Sequence, residues 1–146
     1  MREILFRGVS TDSIEWIEGW YEMYPYGRWP LKETIIPAEE AKGGHFHHVE
    51  VIPETVGQFT GLTDKNGKKI FEGDICRVCL DPEICIAHIQ YDERTASFNM
   101  RYNDYQCNTF LDMRLAENRV GDRVWIEVIG NIHDNPELLE GQRIEI

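Results

Sequence analysis

Alternating apolar and polar residues dominate the second half of the chain and predict β-strands. In residues 95–102 the even positions are Ala, Phe, Met and Tyr, while the odd positions are Thr, Ser, Asn and Arg. Such alternation gives a strand one buried and one solvent-facing side. In residues 85–91 the odd positions are Cys, Ala, Ile and Tyr, and the polar link Asp92–Thr95 follows. The two segments predict a hairpin in which Tyr91 lies opposite Ala96.

Two further strand patterns lie near the ends of the chain. From Arg123 to Ile132, apolar residues again alternate with polar or charged ones. Near the N-terminus, the segments EILFRG and IEWIEGW are joined by the polar turn Ser10–Ser13. This arrangement predicts an N-terminal β-hairpin over residues 2–22.

A short helix is predicted at residues 136–140. Asn135 suits the N-cap, Pro136 suits the first helical position, and Gly141 suits the stop. So short a helix is not stable in isolation and must dock on the rest of the protein. The weakly patterned stretch Pro37–Lys42 is predicted as a loop or as a second helix.

These patterns together predict a mainly β protein. With 146 residues the chain has the length of one domain, and we expect a single domain over residues 1–146. Its core is predicted as a small SH3-like or related β-barrel built from residues 56–132. The N-terminal hairpin would pack against this barrel, and the short helix would close one end.

The stretch GLTDKNGKK begins like a nucleotide-binding loop. Such a loop needs G-x-x-x-x-G-K-[ST] between a strand and a helix, so that backbone amides converge on phosphate. Here five residues separate Gly61 from Gly67, and Lys69 stands where the hydroxyl is needed. A strand pattern follows instead of a helix, so the stretch predicts a turn rather than a nucleotide site.

A hairpin fits this stretch better. Asn66–Gly67 is a strong signal for a type I′ turn, because both residue types tolerate a positive φ. A turn centred there places Asp64 opposite Lys69 and Leu62 opposite Phe71. The first pair matches charge and the second matches apolar surface.

Residues 53–75, PETVGQFTGLTDKNGKKIFEGDI, resemble the signature of the YopX family of small phage and prophage proteins. The start MREILFRG with EWIEGW, and the segment IGNIHDNPELLE at Ile129–Glu140, resemble the same family. The resemblance covers about half of the chain. It implies a mainly β intracellular phage protein capable of forming homo-oligomers, with no assigned activity and no recognised catalytic residues.

The charge of the chain narrows the choice of partners. Acidic residues number 26 against 15 Lys plus Arg, a net charge of −11. Such a chain repels a phosphate backbone, because nucleic-acid binding draws its affinity from cationic side chains. No apolar run is long enough to span a bilayer, and MREILFRG lacks the features of a signal peptide. We therefore expect a cytoplasmic protein that binds no membrane and is unsuited to nucleic acid.

Four cysteines suggest a zinc site as one interpretation; they are Cys76, Cys79, Cys85 and Cys107. Structural zinc needs closely spaced ligand pairs on tight turns. The C-x-x-C pair lies instead in a predicted strand, where a spacing of three places the two side chains on opposite faces. Buried, reduced thiols are the favoured interpretation, and we expect no bound metal or cofactor.

Three histidines occur in the segment GGHFHHVE. In an extended chain His45 and His47 share a face and, with Glu50, offer a candidate metal site. A surface loop rich in histidine, which also includes His48, is the favoured interpretation.

Asp74, Asp122 and Asp134 stand beside predicted turns, as the carboxylates of two-metal nucleases also do. The favoured interpretation is that such residues accept hydrogen bonds from the amides of their turns. No convergent set of nucleophile and base follows from the sequence. No catalytic residue is therefore assigned, and we expect the protein not to be an enzyme.

The segment WYEMYPYGRW is dense in aromatic residues. Aromatic side chains and arginine are favoured at protein interfaces, although aromatic residues also cover hydrophobic cores. The candidate residues for contact with a partner are Trp20, Tyr21, Tyr24, Tyr26, Arg28 and Trp29.

These observations predict a non-enzymatic phage or prophage accessory protein that forms homo-oligomers and binds a host or phage protein. Two alternatives stay open at this point. The first is a nucleic-acid-binding small barrel, because Lys65, Lys68 and Lys69 cluster on one turn. The second is an acidic mimic of DNA that blocks a host DNA-binding protein.

Overall fold

The computed structural model describes residues 3–24, 31–80, 82–102, 108–110 and 123–140. Its strands are β1 Phe6–Val9, β2 Trp16–Tyr24, β3 Lys32–Pro37, β4 Val49–Glu50, β5 Gly57–Thr63, β6 Lys69–Phe71, β7 Asp74–Leu80, β8 Ile84–Asp92, β9 Ser97–Tyr102, β10 Asn108–Phe110 and β11 Val124–Asn131. Its α-helices are α1 Ala38–Lys42 and α2 Glu137–Glu140, and a short 3-10 helix spans Pro53–Thr55. The predicted mainly β class is confirmed.

The described strands form two antiparallel sheets and no closed barrel, which corrects the predicted barrel closure. The first sheet has the order β4-β3-β2-β1-β5-β6, and the second has the order β10-β9-β8-β7-β11. Alternation along a sequence marks half-buried strands, but it does not say which strands become neighbours. An SH3-like arrangement stays a prediction.

The chain groups into two compact units, Met1–Phe59 and Thr60–Ile146. A single domain over residues 1–146 stays a prediction. Within the described residues, no helix is long and apolar enough to cross a membrane.

The long strand β2 is central to the unit Met1–Phe59. One of its edges pairs with β1, where Phe6 lies opposite Gly19. Its other edge pairs with β3, where Tyr21 lies opposite Ile35. Ile35 is fully buried. Because neighbouring strands hold β2 on both edges, the directions of its side chains are fixed along its length.

The core of the unit Thr60–Ile146 lies on one side of the second sheet. Of the residues predicted to face the core, Met100, Tyr102 and Ile126 are buried there. Asn99, predicted to face solvent, is buried as well, and a register shift between Val128 and Gly130 interrupts the alternation predicted for Arg123–Ile132. The buried residues of this core are Ile70, Cys76, Val78, Cys85, Ala87, Ile89, Met100, Tyr102 and Ile126.

Strands β8 and β9 form the predicted hairpin, but the predicted pairing of Tyr91 with Ala96 is wrong. Tyr91 lies opposite Phe98, and the two rings meet edge-on with centroids 5.4 Å apart. Ala96 belongs to the turn, where its φ is +53°. The register differs from the prediction by two residues, so the same side chains still face the core.

The stretch in the 60s is a turn between β5 and β6, and β6 rather than a helix follows it. The Asp64 amide donates to the Lys68 carbonyl at 2.7 Å, and the Gly67 amide donates to the Asp64 carbonyl at 3.0 Å. Of residues 64–68, Gly67 alone has a positive φ, +81°. This is a type I turn followed by a left-handed glycine. The predicted type I′ turn, with Asp64 opposite Lys69, is therefore wrong.

Both short helices are present. The predicted C-terminal helix is α2, which begins at Glu137. The stretch Pro37–Lys42 forms α1, the second of its two predicted alternatives.

Candidate functional site

One side of β2 presents aromatic and acidic residues in strict alternation. Successive side chains of a strand point to opposite sides, and the register of β2 with both neighbours is unbroken. Every second residue therefore shares one side. We call these five residues the β2 ladder: Trp16, Glu18, Trp20, Glu22 and Tyr24.

The two end aromatics of the β2 ladder carry side chains from elsewhere in the same unit. The Arg7 guanidinium lies over the Trp16 ring, 4.7 Å from its centroid. The His48 ring stacks on Tyr24 with centroids 3.9 Å apart and an interplanar angle of 18°. His48 Nε2 also lies 3.0 Å from Glu22 Oε2. Each end of the ladder thus shows a nitrogen-bearing side chain packed on an aromatic ring.

The middle aromatic, Trp20, is 42% exposed. It lies opposite Ile36, which is buried. Among the described residues no ring or cation stacks on Trp20, and the neighbouring Glu22 side chain is 53% exposed. The ladder therefore offers a solvent-facing tryptophan with carboxylates two residues away on either side.

The other side of β2 serves the fold. The Tyr21 hydroxyl donates to Glu33 Oε1 at 2.7 Å, and the Tyr21 ring lies 5.5 Å from Phe6. Burial, together with the bond to the Glu33 carboxylate, raises the pKa of Tyr21 to about 12. Met23, on this same side, is 45% exposed. It has nearly the exposure of Trp20 without belonging to the ladder.

The structure separates the six residues predicted to contact a partner. Trp20 and Tyr24 lie on the ladder, and Tyr21 lies on the opposite side of β2. Tyr26, Arg28 and Trp29 lie outside the described residues. Contact of these six with a partner stays a prediction.

Sequence reasoning missed Trp16, Glu18 and Glu22, and it missed the covering residues Arg7 and His48. The period-two pattern W-x-E-x-W-x-E-x-Y is visible in the sequence and would have marked the ladder. The stacking of Arg7 on Trp16 and of His48 on Tyr24 depends on the pairing of distant strands, so the sequence pattern could not reveal it.

The turn at residues 64–68 is organised by a buried carboxylate. Asp64 is 1% exposed. Its Oδ1 accepts hydrogen bonds from the amides of Asn66 at 2.8 Å and Lys68 at 2.9 Å. Its Oδ2 accepts from the Val128 amide at 2.9 Å. These amides are therefore taken by Asp64, so the turn does not offer them to a phosphate.

Lys65 of the same turn lies against β11. Its Nζ is 4.0 Å from the centroid of the Trp125 ring and 3.6 Å from Glu127 Oε2. Arg77 approaches the other oxygen of Glu127 at 3.7 Å. The positive charge of Lys65 is thus partly compensated within the fold.

The cysteines in the described residues are buried free thiols, as the favoured interpretation predicted. Cys76 and Cys85 belong to the core of the second sheet, while the Cys79 Sγ donates to the Arg123 carbonyl at 3.4 Å. Cys107 lies outside the described residues. Within them, no three His, Cys, Asp or Glu side chains are arranged to hold a metal ion.

The histidine segment is divided among different acidic partners. His47 Nδ1 lies 3.8 Å from Glu40 Oε2, whereas Glu50 pairs with Lys32 at 3.9 Å. His45 is exposed. The alternative metal site of His45, His47 and Glu50 is not formed in the described part of the chain.

Two of the aspartates beside turns, Asp74 and Asp134, lie in the described residues, and both accept hydrogen bonds from the protein itself. Asp74 is 1% exposed and its Oδ2 accepts from the Phe71 amide at 2.7 Å. Asp134 Oδ2 accepts from the Asn131 side-chain amide at 3.1 Å. At Asp74 the predicted role in a turn is confirmed, whereas Asp122 lies outside the described residues.

Comparison with known proteins gives a family match. The family model described as YopX protein matches residues 6–140. Among solved structures, the chain is similar to protein EF1440 from Enterococcus faecalis, with 26% identity and a TM-score of 0.49, over 95% of this chain and 99% of that chain. No curated protein matches the chain.

Proposed function

The chain belongs to the YopX family, and from this premise we propose that it is a non-enzymatic phage or prophage accessory protein that works by binding proteins. In this proposal the protein acts in the cytoplasm, self-associates, and also contacts a protein of the host or of the phage. The observation that carries the proposal is the exposed Trp20 at the centre of the β2 ladder.

The exposure of Trp20 supports a role in binding. Tryptophan and tyrosine are enriched among residues that dominate the energy of protein interfaces, usually near the centre of the contact. Trp20 is 42% exposed and lies between two other aromatic residues of the ladder. Phe46, in the segment that leads to His48, is 64% exposed. Burying such side chains against a partner removes apolar surface from water.

Binding to nucleic acid is less well supported than binding to protein. Lys65 is paired with Glu127 and stacked on Trp125, so the lysine cluster of the turn is not wholly available to phosphates. The net charge of −11 also opposes association with a polyanion.

The proposal is tested by comparing the native protein with Trp20→Ala. Sedimentation velocity over a range of concentrations measures self-association. Crosslinking in cells that carry the phage, followed by purification and mass spectrometry, identifies bound proteins. We expect Trp20→Ala to raise the dissociation constant for the partner or for self-association about tenfold, as for a central interface residue.

Met23→Ala is the matched control, because Met23 has nearly the same exposure on the opposite side of β2. It should leave both measurements unchanged. A native protein that stays monomeric at all concentrations and crosslinks to no protein contradicts the proposal. Equal binding by native protein and Trp20→Ala contradicts it as well.

A further inference from the structure

The geometry of the β2 ladder points to a more specific occupant, and we propose that Trp20 binds an arginine side chain from a basic segment of the partner. In this arrangement the guanidinium stacks on the Trp20 ring and donates hydrogen bonds to Glu18 or Glu22. The inference deepens the proposed function and rests on it, since it names the chemical class of the bound segment.

The protein already contains an arginine stacked on a tryptophan of the β2 ladder, within its own fold. Arg7 stacks on Trp16 at 4.7 Å and lies directly opposite Glu18 in the pairing of β1 with β2. The Trp16 face carries this guanidinium, and Glu18, two residues further along the strand, shares that side of β2. The sequence repeats that unit immediately afterwards, as Trp20 followed by Glu22.

The opposite end of the ladder follows the same chemistry. His48 stacks on Tyr24 at 3.9 Å, and its Nε2 contacts Glu22 at 3.0 Å. Two of the three aromatic residues on the ladder therefore carry a nitrogen-bearing side chain of the protein itself. Trp20 lies between them, exposed and with the same acidic neighbours.

The spacing of the ladder suits one guanidinium. Residues two apart on one side of a strand are about 7 Å apart, so a planar group over Trp20 reaches toward Glu18 on one side and Glu22 on the other. A guanidinium has five donors, and a carboxylate has two oxygens able to accept several hydrogen bonds. Glu22 thus has a second oxygen, Oε1, besides the one that contacts His48.

Charge and shape favour arginine over other side chains. The net charge of −11 attracts a basic segment over long range. A planar guanidinium stacks on an indole while donating in its own plane, whereas an ammonium is a compact, strongly hydrated charge. Cation–π contacts are also strongest on tryptophan.

The experiment uses short synthetic peptides and the full chain. One peptide has a single arginine flanked by glycine and serine, a second has lysine at that position, and a third has citrulline, which keeps the planar shape without the charge. NMR titration follows the indole resonance of Trp20. We expect saturable shifts with the arginine peptide, binding at least fivefold weaker with citrulline, and weaker binding with lysine and at higher salt.

Protein variants locate the effect. Trp20→Ala should abolish saturable binding, Trp20→Phe should weaken it severalfold, and Glu22→Gln should weaken it about threefold. Met23→Ala should bind as the native protein does. If Trp20→Ala fails to fold, Glu22→Gln and the citrulline peptide still decide the outcome.

The results separate this inference from the proposed function. Equal binding of arginine and citrulline peptides, or arginine binding that is insensitive to the ladder variants, overturns the inference. A Trp20-dependent partner could still be found in that case, and the proposed function would stand. Absence of any self-association or crosslinked protein defeats the proposed function, whatever the peptides do.

Discussion

At the scale of single residues, Asp64 shows how a buried charge organises a turn. Its carboxylate is 1% exposed and accepts three backbone hydrogen bonds, two from its own turn and one from β11. Hydrogen bonds to charged groups contribute more than neutral ones, and a buried amide left without an acceptor is costly. Asp64 therefore stabilises the fold rather than serving as an exposed acid.

We expect Asp64→Ala to lower the free energy of unfolding by about 3 kcal/mol, because three amides lose their acceptor. Asp64→Asn keeps one side-chain oxygen as an acceptor, so its free energy of unfolding should fall by less. Urea denaturation followed by circular dichroism measures both changes. Asp12→Ala is the control, since Asp12 is exposed, and a surface change of this kind stays within about 0.5 kcal/mol. A loss at Asp64 no larger than at Asp12 would refute the structural role.

At the scale of secondary-structure elements, β2 and the turn between β5 and β6 show two different uses of strand geometry. The regular alternation of β2 places the aromatic residues and glutamates of the ladder on one side. The turn departs from regularity at Gly67, whose φ is +81°. A left-handed residue there lets the chain reverse while Asp64 and Lys68 stay paired.

Gly67→Ala should lower the free energy of unfolding by about 1 kcal/mol, because a Cβ disfavours the left-handed region. The cost is conformational alone, since no atom lies within 4 Å of a Cβ added at Gly67. Gly43→Ala provides the comparison. Its φ is −86° and a Cβ added there would lie 3.5 Å from the Glu40 carbonyl oxygen, so the substitution should be neutral in the same thermal or urea measurement. Equal losses at both glycines would mean that the positive φ is not the cause.

At the scale of the whole molecule, the excess of acidic residues sets the long-range electrostatics. With a net charge of −11, the acidic side chains of the folded protein repel one another, and dissolved salt screens that repulsion. The local ion pairs of Lys65 and Arg77 with Glu127 act in the opposite sense, because salt weakens them. Exposed pairs contribute little, so the overall repulsion should dominate.

Raising the salt concentration from about 20 mM to about 500 mM should therefore raise the Tm by a few degrees. Differential scanning calorimetry measures the shift. Parallel series in sodium chloride and potassium chloride separate screening, which depends on ionic strength, from binding of a particular ion. A Tm that falls with salt would show that attractive ion pairs outweigh the net repulsion.

Much of the local structure could be predicted from the sequence because its cause is local. Strands β9 and β11 follow from side-chain alternation, and the turn in the 60s follows from its Asn-Gly pair. The register of Tyr91 and the type of that turn were predicted wrongly. Both depend on small differences in backbone energy at Ala96 and Gly67, which residue types alone do not resolve.

By itself, the sequence determined the mainly β class, the family and the acidic charge. Strand neighbours, and hence the two sheets in place of a closed barrel, were decided by tertiary structure. So was the bond from Val128 to Asp64, two residues 64 positions apart along the chain. Tertiary structure also decided that Arg7 and His48 cover Trp16 and Tyr24, while Trp20 stays exposed. The reason is physical: a strand's periodicity is set by its own backbone, whereas its partners are chosen by packing between distant segments.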